Sequence, residues 1–228
     1  MLRYFDVGGI RLAAAVSGPP GATPLILLHG GGSDSSTWAG IAPAFAATHQ
    51  VYAVDQRGFG ATTRGGPYGF LPMRDDIIGL LDVLGAERCE LVGHSMGGTV
   101  AWLVAQQQPE RVAHLVVEDS PPPASGRFRS SVTIGEPADV PFDWAAVEAY
   151  TRELNAPDPQ WWNRIDTVTA PTLLLAGGAS SQVPQDLFHE VLAKLPDGQI
   201  AQIPVGHNIH RDAPEAFTEA VTAFLKRA

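Results

Sequence analysis

Two short segments far apart in the chain carry residues able to do chemistry together. The first is Gly93-His94-Ser95-Met96-Gly97-Gly98, set between the apolar run 89–92 and a stretch with helical apolar spacing. A serine on a tight turn between a strand and a helix has its hydroxyl raised out of the backbone. Glycines are needed around it because side chains there would collide with the neighbouring strand and helix. The positive end of the following helix favours negative charge developing nearby. Ser95 is therefore the expected nucleophile. A serine hydroxyl attacks poorly until a base takes its proton, and histidine suits that task because it titrates near neutrality. The second segment, Gly206-His207-Asn208-Ile209-His210, offers two histidines. His207 directly follows an apolar run, at the carboxyl end of a strand, where an α/β sheet opens its ligand crevice. It is the expected base, with His210 as the alternative or as a brace for the loop.

A third segment, His29-Gly30-Gly31-Gly32, follows the apolar run 25–28. Without side chains in the way, its N–H groups can come close to a ligand. The Gly31 and Met96 N–H groups are the expected oxyanion donors. Gly30 and Gly32 are expected to contact the substrate, and His29 to be structural. No carboxylate or cysteine is spaced to complete a metal site with His207 and His210, so neither metal nor organic cofactor is expected. The single cysteine, Cys89, reads as an inert core thiol.

These segments need a scaffold, and the pattern describes one. Gly8-Gly9 between 4–7 and 10–16 suits a hairpin turn. The short apolar run 25–28 suits a strand buried on both faces, and 51–54, 89–92, 115–118, 172–176 and 199–203 read as further strands. Helical spacing lies between them: Trp38, Ile41 and Phe45; Met73, Ile77, Leu80, Leu81 and Leu84, closed by Gly85; the stretch from Ser95 to about Pro109; Leu187, Val191, Leu192 and Leu195; and Phe217, Val221, Phe224 and Leu225 after Pro214. Such alternation predicts an α/β fold with a mostly parallel sheet and helices on both faces. The rhythm breaks between Asp119 and Thr172, where Pro121-Pro122-Pro123, Arg127, Arg129, a helix candidate over 144–154 and Trp161-Trp162 stand. The expected organisation is a core of 1–120 and 170–228 with an insertion, 121–169, lying over it. Trp144 and Trp161 are the expected apolar contacts of the insertion with a ligand.

At 228 residues one core is expected. A formal net charge of −9 repels phosphate backbones and sets nucleic acid aside as partner. One cysteine excludes an internal disulfide, and no apolar stretch approaches a membrane span. With no leader-like N-terminus, a cytoplasmic location is expected. Oligomeric state stays open, a homodimer included.

Over nearly its whole length the chain resembles the α/β-hydrolases. It carries their His-Gly-Gly-Gly loop, an Asp55-Gln56-Arg57-Gly58-Phe59-Gly60 turn, the Gly-His-Ser-Met-Gly-Gly elbow, and a Gly-His ahead of a Pro-Glu-x-Phe helix at 214–217. The resemblance implies a catalytic triad in the order Ser, acid, His, and a short cap that leaves a more open pocket. It departs at the acid. Gly177-Gly178-Ala179-Ser180-Ser181-Gln182-Val183-Pro184 has Ser180 where most relatives place an aspartate, and a serine cannot stabilise an imidazolium. A minority of relatives take the acid from the end of the sixth strand, which implies Asp119, with Glu118 and Asp186 as alternatives. Asp55 and Arg57 read as a structural turn pair. The activity implied is hydrolysis of a small-molecule carboxylic ester or lactone by a serine esterase. Carbon–carbon bond hydrolysis, perhydrolase chemistry or slow-turnover ligand sensing are the alternatives.

Overall fold

The computed structural model describes residues 1–127 and 140–227; Arg129 lies outside them. The chain opens with strands β1 (Leu2–Val7) and β2 (Ile10–Ser17), joined at Gly8 and Gly9. Their φ values of 54° and 86° supply the two positive angles that a tight hairpin turn demands. Strand β3 (Pro24–Leu28) leads through a 3-10 turn, Ser35–Trp38, and the one-turn α1 (Ala42–Phe45) to β4 (Gln50–Asp55). The helical spacing of Trp38, Ile41 and Phe45 is thus divided between two short pieces. Gly40 separates them and Pro43 restarts the winding.

From there the units lengthen: α2 (Phe70–Val83), β5 (Cys89–His94), α3 (Met96–Gln107) and β6 (Val112–Glu118). The insertion contributes α4 (Trp144–Asn155) and α5 (Pro159–Asn163). The core resumes with β7 (Thr172–Ala176), α6 (Asp186–Leu192), β8 (Gly198–Gln202), the short α7 (Ile209–Asp212) and α8 (Pro214–Leu225). One sheet results, in the order β1-β2-β4-β3-β5-β6-β7-β8. The β1–β2 and β2–β4 pairs are antiparallel and every other pair is parallel.

Every residue of β5 and β7 is buried, as a strand covered on both faces must be. On one face Met73, Ile77, Val100 and Val104 pack over Ile26, Leu91 and Leu115. On the other, Trp38, Phe45, Phe217 and Val221 pack over Leu27, Val92 and Val116. The insertion's Ala146, Val147, Tyr150 and Trp161 belong to the first of these clusters, so it shares the main core. Among the described residues, no helix is long and apolar enough to cross a membrane.

The β4 turn anchors the insertion. The Gly60 N–H donates to the Pro141 carbonyl at 2.7 Å and the Asp143 N–H to the Gly58 carbonyl at 2.7 Å. The Asp143 carboxylate caps α4 by accepting from the Ala145 N–H, and accepts the Tyr68 hydroxyl at 2.7 Å. Asp55 and Arg57 are structural but not partners. Asp55 accepts the Ser35 and Ala61 N–H groups, while Arg57 forks onto the buried Asp76 of α2 through Nε at 2.7 Å and Nη2 at 2.5 Å. Asp76→Ala leaves the guanidinium buried without its counter-charge, so it is expected to cost about 3–5 kcal/mol in urea unfolding. A loss below about 1 kcal/mol would show that water reaches Arg57.

Candidate active site

Ser95 sits at φ 51°, ψ −116°, between the last residue of β5 and the first of α3. That left-handed conformation is costly for a non-glycine residue, and its neighbours hold it. The Ser95 N–H donates to the Glu118 carbonyl at 3.2 Å, and the Gly97 N–H to the His29 carbonyl at 3.1 Å. The Ser120 hydroxyl donates to the Ser95 carbonyl at 2.8 Å. The bend also needs missing side chains. A Cβ on Gly93 would lie 2.4 Å from the Gly97 carbonyl oxygen, and one on Gly97 only 2.3 Å from that of Leu28.

Asp119 follows β6 directly, again with positive φ (46°), and has no exposed surface. His207 Nδ1 donates to its Oδ2 at 2.7 Å. A carboxylate oxygen only accepts, so Nδ1 carries the proton and the opposite nitrogen keeps its lone pair. The Gly177 N–H donates to Oδ1 at 2.9 Å and Gln185 Nε2 reaches it at 3.4 Å. The Ser181 hydroxyl donates to Oδ2. The loop after β7, where the resemblance places an acid, here supplies donors to the carboxylate at the end of the neighbouring strand β6.

The other two acid candidates are engaged elsewhere. Glu118, the last residue of β6, accepts both the His210 N–H at 2.9 Å and its Nδ1 at 2.8 Å. Asp186 pairs with Arg127 at 2.6 Å. His210 is thus a brace, its Nε2 lying 2.7 Å from the Thr37 hydroxyl. His94 completes the brace: its Nε2 donates to the His207 carbonyl at 2.9 Å.

Burial sets the charges. It drives the His94 imidazole down to about 4, against the pull of Glu118, so the ring is neutral at pH 7. Burial also lowers His29, although the Gly30 carbonyl and Asp55 oppose it. His29 Nδ1 donates to the Gly30 carbonyl and Nε2 accepts the Gln56 N–H, tying the glycine loop to the β4 turn. Burial would push Glu118 up, but the neighbouring histidines and the His210 hydrogen bonds overcome it and hold the carboxyl below its ordinary value. Burial takes Cys89 up to about 12 and removes it as a nucleophile. Among the described residues His94, Glu118 and His210 bring three metal-capable atoms within 4.8 Å of one another. A cation there would have to displace the Glu118–His210 bonds, so the donor set is satisfied without one.

Gly30, Gly31, Ser95, Met96, Asp119 and His207 line one cavity of about 220 Å³. Among the described residues, no backbone carbonyl of a loop takes the Gly31 or Met96 N–H, and Met96, as first residue of α3, has no acceptor within the helix. Three residues expected to contact substrate are not in the lining. Trp161 is buried edge-on against Phe70, with ring centroids 5.5 Å apart. Trp144 packs on Phe142 at 5.0 Å, and Gly32 is an exposed turn glycine. Both indole rings pack against other aromatic rings rather than on the cavity. The wall comes instead from Tyr150 and Leu154 of α4, Pro121–Pro123, and Val183 and Leu187. The proline run beside Asp119 was the available signal for part of it; nothing in the apolar spacing marked Tyr150.

Residues 23–132 match the model of a family described as the alpha/beta hydrolase fold. An sn-1-specific diacylglycerol lipase of Mus musculus is 31% identical over 88% of this chain and 80% of its own. Epoxide hydrolase A of Mycobacterium tuberculosis is also 31% identical, over 89% of this chain, which spans 62% of that protein. Among solved structures, the enol-lactonase from Burkholderia xenovorans LB400 superposes with a TM-score of 0.82 at 19% identity, covering 99% of this chain and 100% of that one.

The buried neutral His94 makes stability depend on pH. Its folded value of about 4 lies below its unfolded 6.5, so between these limits the unfolded chain binds the extra proton. Stability is expected to fall on acidification through that window, by about 1.4 kcal/mol per pH unit for one group. Lowered His29 acts in the same direction. Denaturant unfolding at pH 7, 6 and 5 should show the slope, and His94→Gln should reduce it. A flat profile would mean that the ring is not held neutral.

Proposed function

Because the chain belongs to the α/β-hydrolase family, we propose that it is a serine hydrolase cleaving carboxylic esters or lactones through an acyl-enzyme on Ser95. Ser95 Oγ attacks the carbonyl carbon as its proton passes to the free nitrogen of His207. Asp119 holds the ring through Nδ1 and balances the imidazolium. The Gly31 and Met96 N–H groups receive the oxyanion, each donor worth about 3–4 kcal/mol in the transition state. His207 then gives its proton to the leaving alkoxide. Water, deprotonated by the same nitrogen, attacks the acyl carbon and releases acid and free Ser95. No step needs a metal or a cofactor. Residues 121–169 act as the cap, with α4 closing one side of the cavity.

The observation that carries this reading is the 2.7 Å bond between His207 and the fully buried Asp119, at the wall of the cavity that Ser95 also lines. Similarity to a diacylglycerol lipase favours an ester. The likeness to an epoxide hydrolase weighs less. A hydroxyl that opened an epoxide would be left as an ether, with no carbonyl for water to attack. An acyl ester on Ser95 is resolved by the machinery that formed it.

A panel of p-nitrophenyl esters, alkyl esters and lactones, assayed for kcat and kcat/KM, tests this. Ser95→Ala is expected to abolish turnover. Asp119→Asn should lower kcat by roughly 10²–10⁴-fold, and Asp186→Asn should leave it within about twofold, the scale of a surface change. Equal activity in Ser95→Ala and the parent, or a large loss in Asp186→Asn alone, would overturn the assignment.

A further inference from the structure

Helix α4 rests on three glycines. Ala146, Tyr150 and Glu153 follow the i, i+4, i+7 spacing of one helix face, and each stands where a glycine lacks a side chain. A Cβ on Gly58 would lie 2.6 Å from the Ala146 Cβ, and one on Gly69 would lie 2.3 Å from Glu153 Oε1. A Cβ on Gly31 would lie 2.3 Å from the Tyr150 hydroxyl. The first two contacts seat the helix, with Glu153 accepting the Phe70 N–H at 2.7 Å. The third is different in kind. It brings a phenol to a glycine that lines the same cavity as Ser95, Met96 and His207.

The ring cannot easily turn away. Tyr150 is 5% exposed, with Phe59 at 6.5 Å and Phe70 at 6.2 Å between ring centroids. Burial holds its phenol above the ordinary value, the Thr151 side chain opposing, so it keeps its proton at neutral pH. Distance allows cooperation with Gly31. A Cβ lies about 2.5 Å from its own nitrogen by covalent geometry. The hydroxyl at 2.3 Å from that Cβ position therefore stands no more than about 4.8 Å from the Gly31 nitrogen. One oxygen atom accepts an N–H at about 2.9 Å and an O–H at about 2.7 Å together at such a donor separation.

We propose that the Tyr150 hydroxyl is a third donor to the substrate carbonyl oxygen, joining the Gly31 and Met96 N–H groups as that oxygen gains charge. The proposal rests on Ser95 acting as the acyl-transfer nucleophile. It gives Gly31 a second purpose, since any side chain at 31 would expel the hydroxyl. It also makes the cap a contributor to the oxyanion site.

Tyr150→Phe in the full chain, assayed on a p-nitrophenyl and an ethyl ester of one acyl group, is the test. A donor to the oxyanion works after the carbonyl oxygen has charged. The expected result is a kcat lower by roughly 10²-fold on both esters with KM nearly unchanged. Affinity for phenylboronic acid, whose adduct with Ser95 places a boronate oxygen at the same position, should fall in parallel. Fluorinated tyrosine at 150 keeps the shape but is a more acidic phenol, so the alkaline limb of kcat should move to lower pH. An unchanged kcat and boronate affinity in Tyr150→Phe would reduce the residue to packing and overturn the proposal. A loss confined to the ethyl ester would assign the hydroxyl to the leaving oxygen and overturn it too. If the parent chain turns over no ester at all, the acyl-transfer reading fails first and takes this one with it, a result distinct from a silent Tyr150→Phe.

Discussion

A carboxylate with no exposed surface has to be met by donors, because burying it unpaired would cost several kcal/mol. Asp119 is met by four: the His207 ring, the Ser181 hydroxyl, the Gly177 N–H and the Gln185 amide. Three come from the loop after β7 and one from the loop after β8. The acid is therefore the joint at which the ends of three adjacent strands are tied. It sits directly after β6 with φ 46°. The loop at 177–185 has no acid at 180 and stabilises one from its neighbour instead.

The end of β6 gives that joint a second half. Glu118 and Asp119 each take one histidine of the same loop, His210 and His207. Spaced three apart, the two rings pin the loop from both sides. His94, the residue before Ser95, holds the His207 carbonyl. The candidate base is thus fixed by the strand that carries the candidate nucleophile as well as by Asp119. Neutral His94 and charged Glu118 lie in one unexposed cluster: burial decides the charge of His94, while the histidine contacts outweigh burial at Glu118.

On the other side of the cavity, close approach does the work that charge does behind it. Helix α4 is seated by absent side chains at 31, 58 and 69. Its N-terminus is tied to the β4 turn at Gly58, Gly60 and Asp143. That turn is in turn held to α2 by the buried Arg57–Asp76 fork. Helix α4 is therefore seated at a defined place beside the cavity, and its core residues merge with those of the sheet.

Local pattern was enough for much of this. Short apolar runs separated by helical spacing specify strands buried on both faces and amphipathic helices, since period and burial are properties of a few consecutive residues. The elbow was legible for the same reason: the glycines at 93 and 97 follow from contacts within one strand–turn–helix unit and the strand beside it. His207 was legible by its place after a strand, and Asp119 only through resemblance. What the sequence did not determine depends on atoms brought together from distant segments. Ser181 and Gln185 meet Asp119 across more than sixty residues. Asp55 and Arg57 share a turn yet find separate partners. Trp144 and Trp161 were taken into packing because a large ring gains most where it is most covered. Tyr150 entered the cavity because a glycine 119 positions earlier left room for its hydroxyl. Apolar period reports which face of an element is buried, and only tertiary packing decides which polar atom that burial delivers to the site.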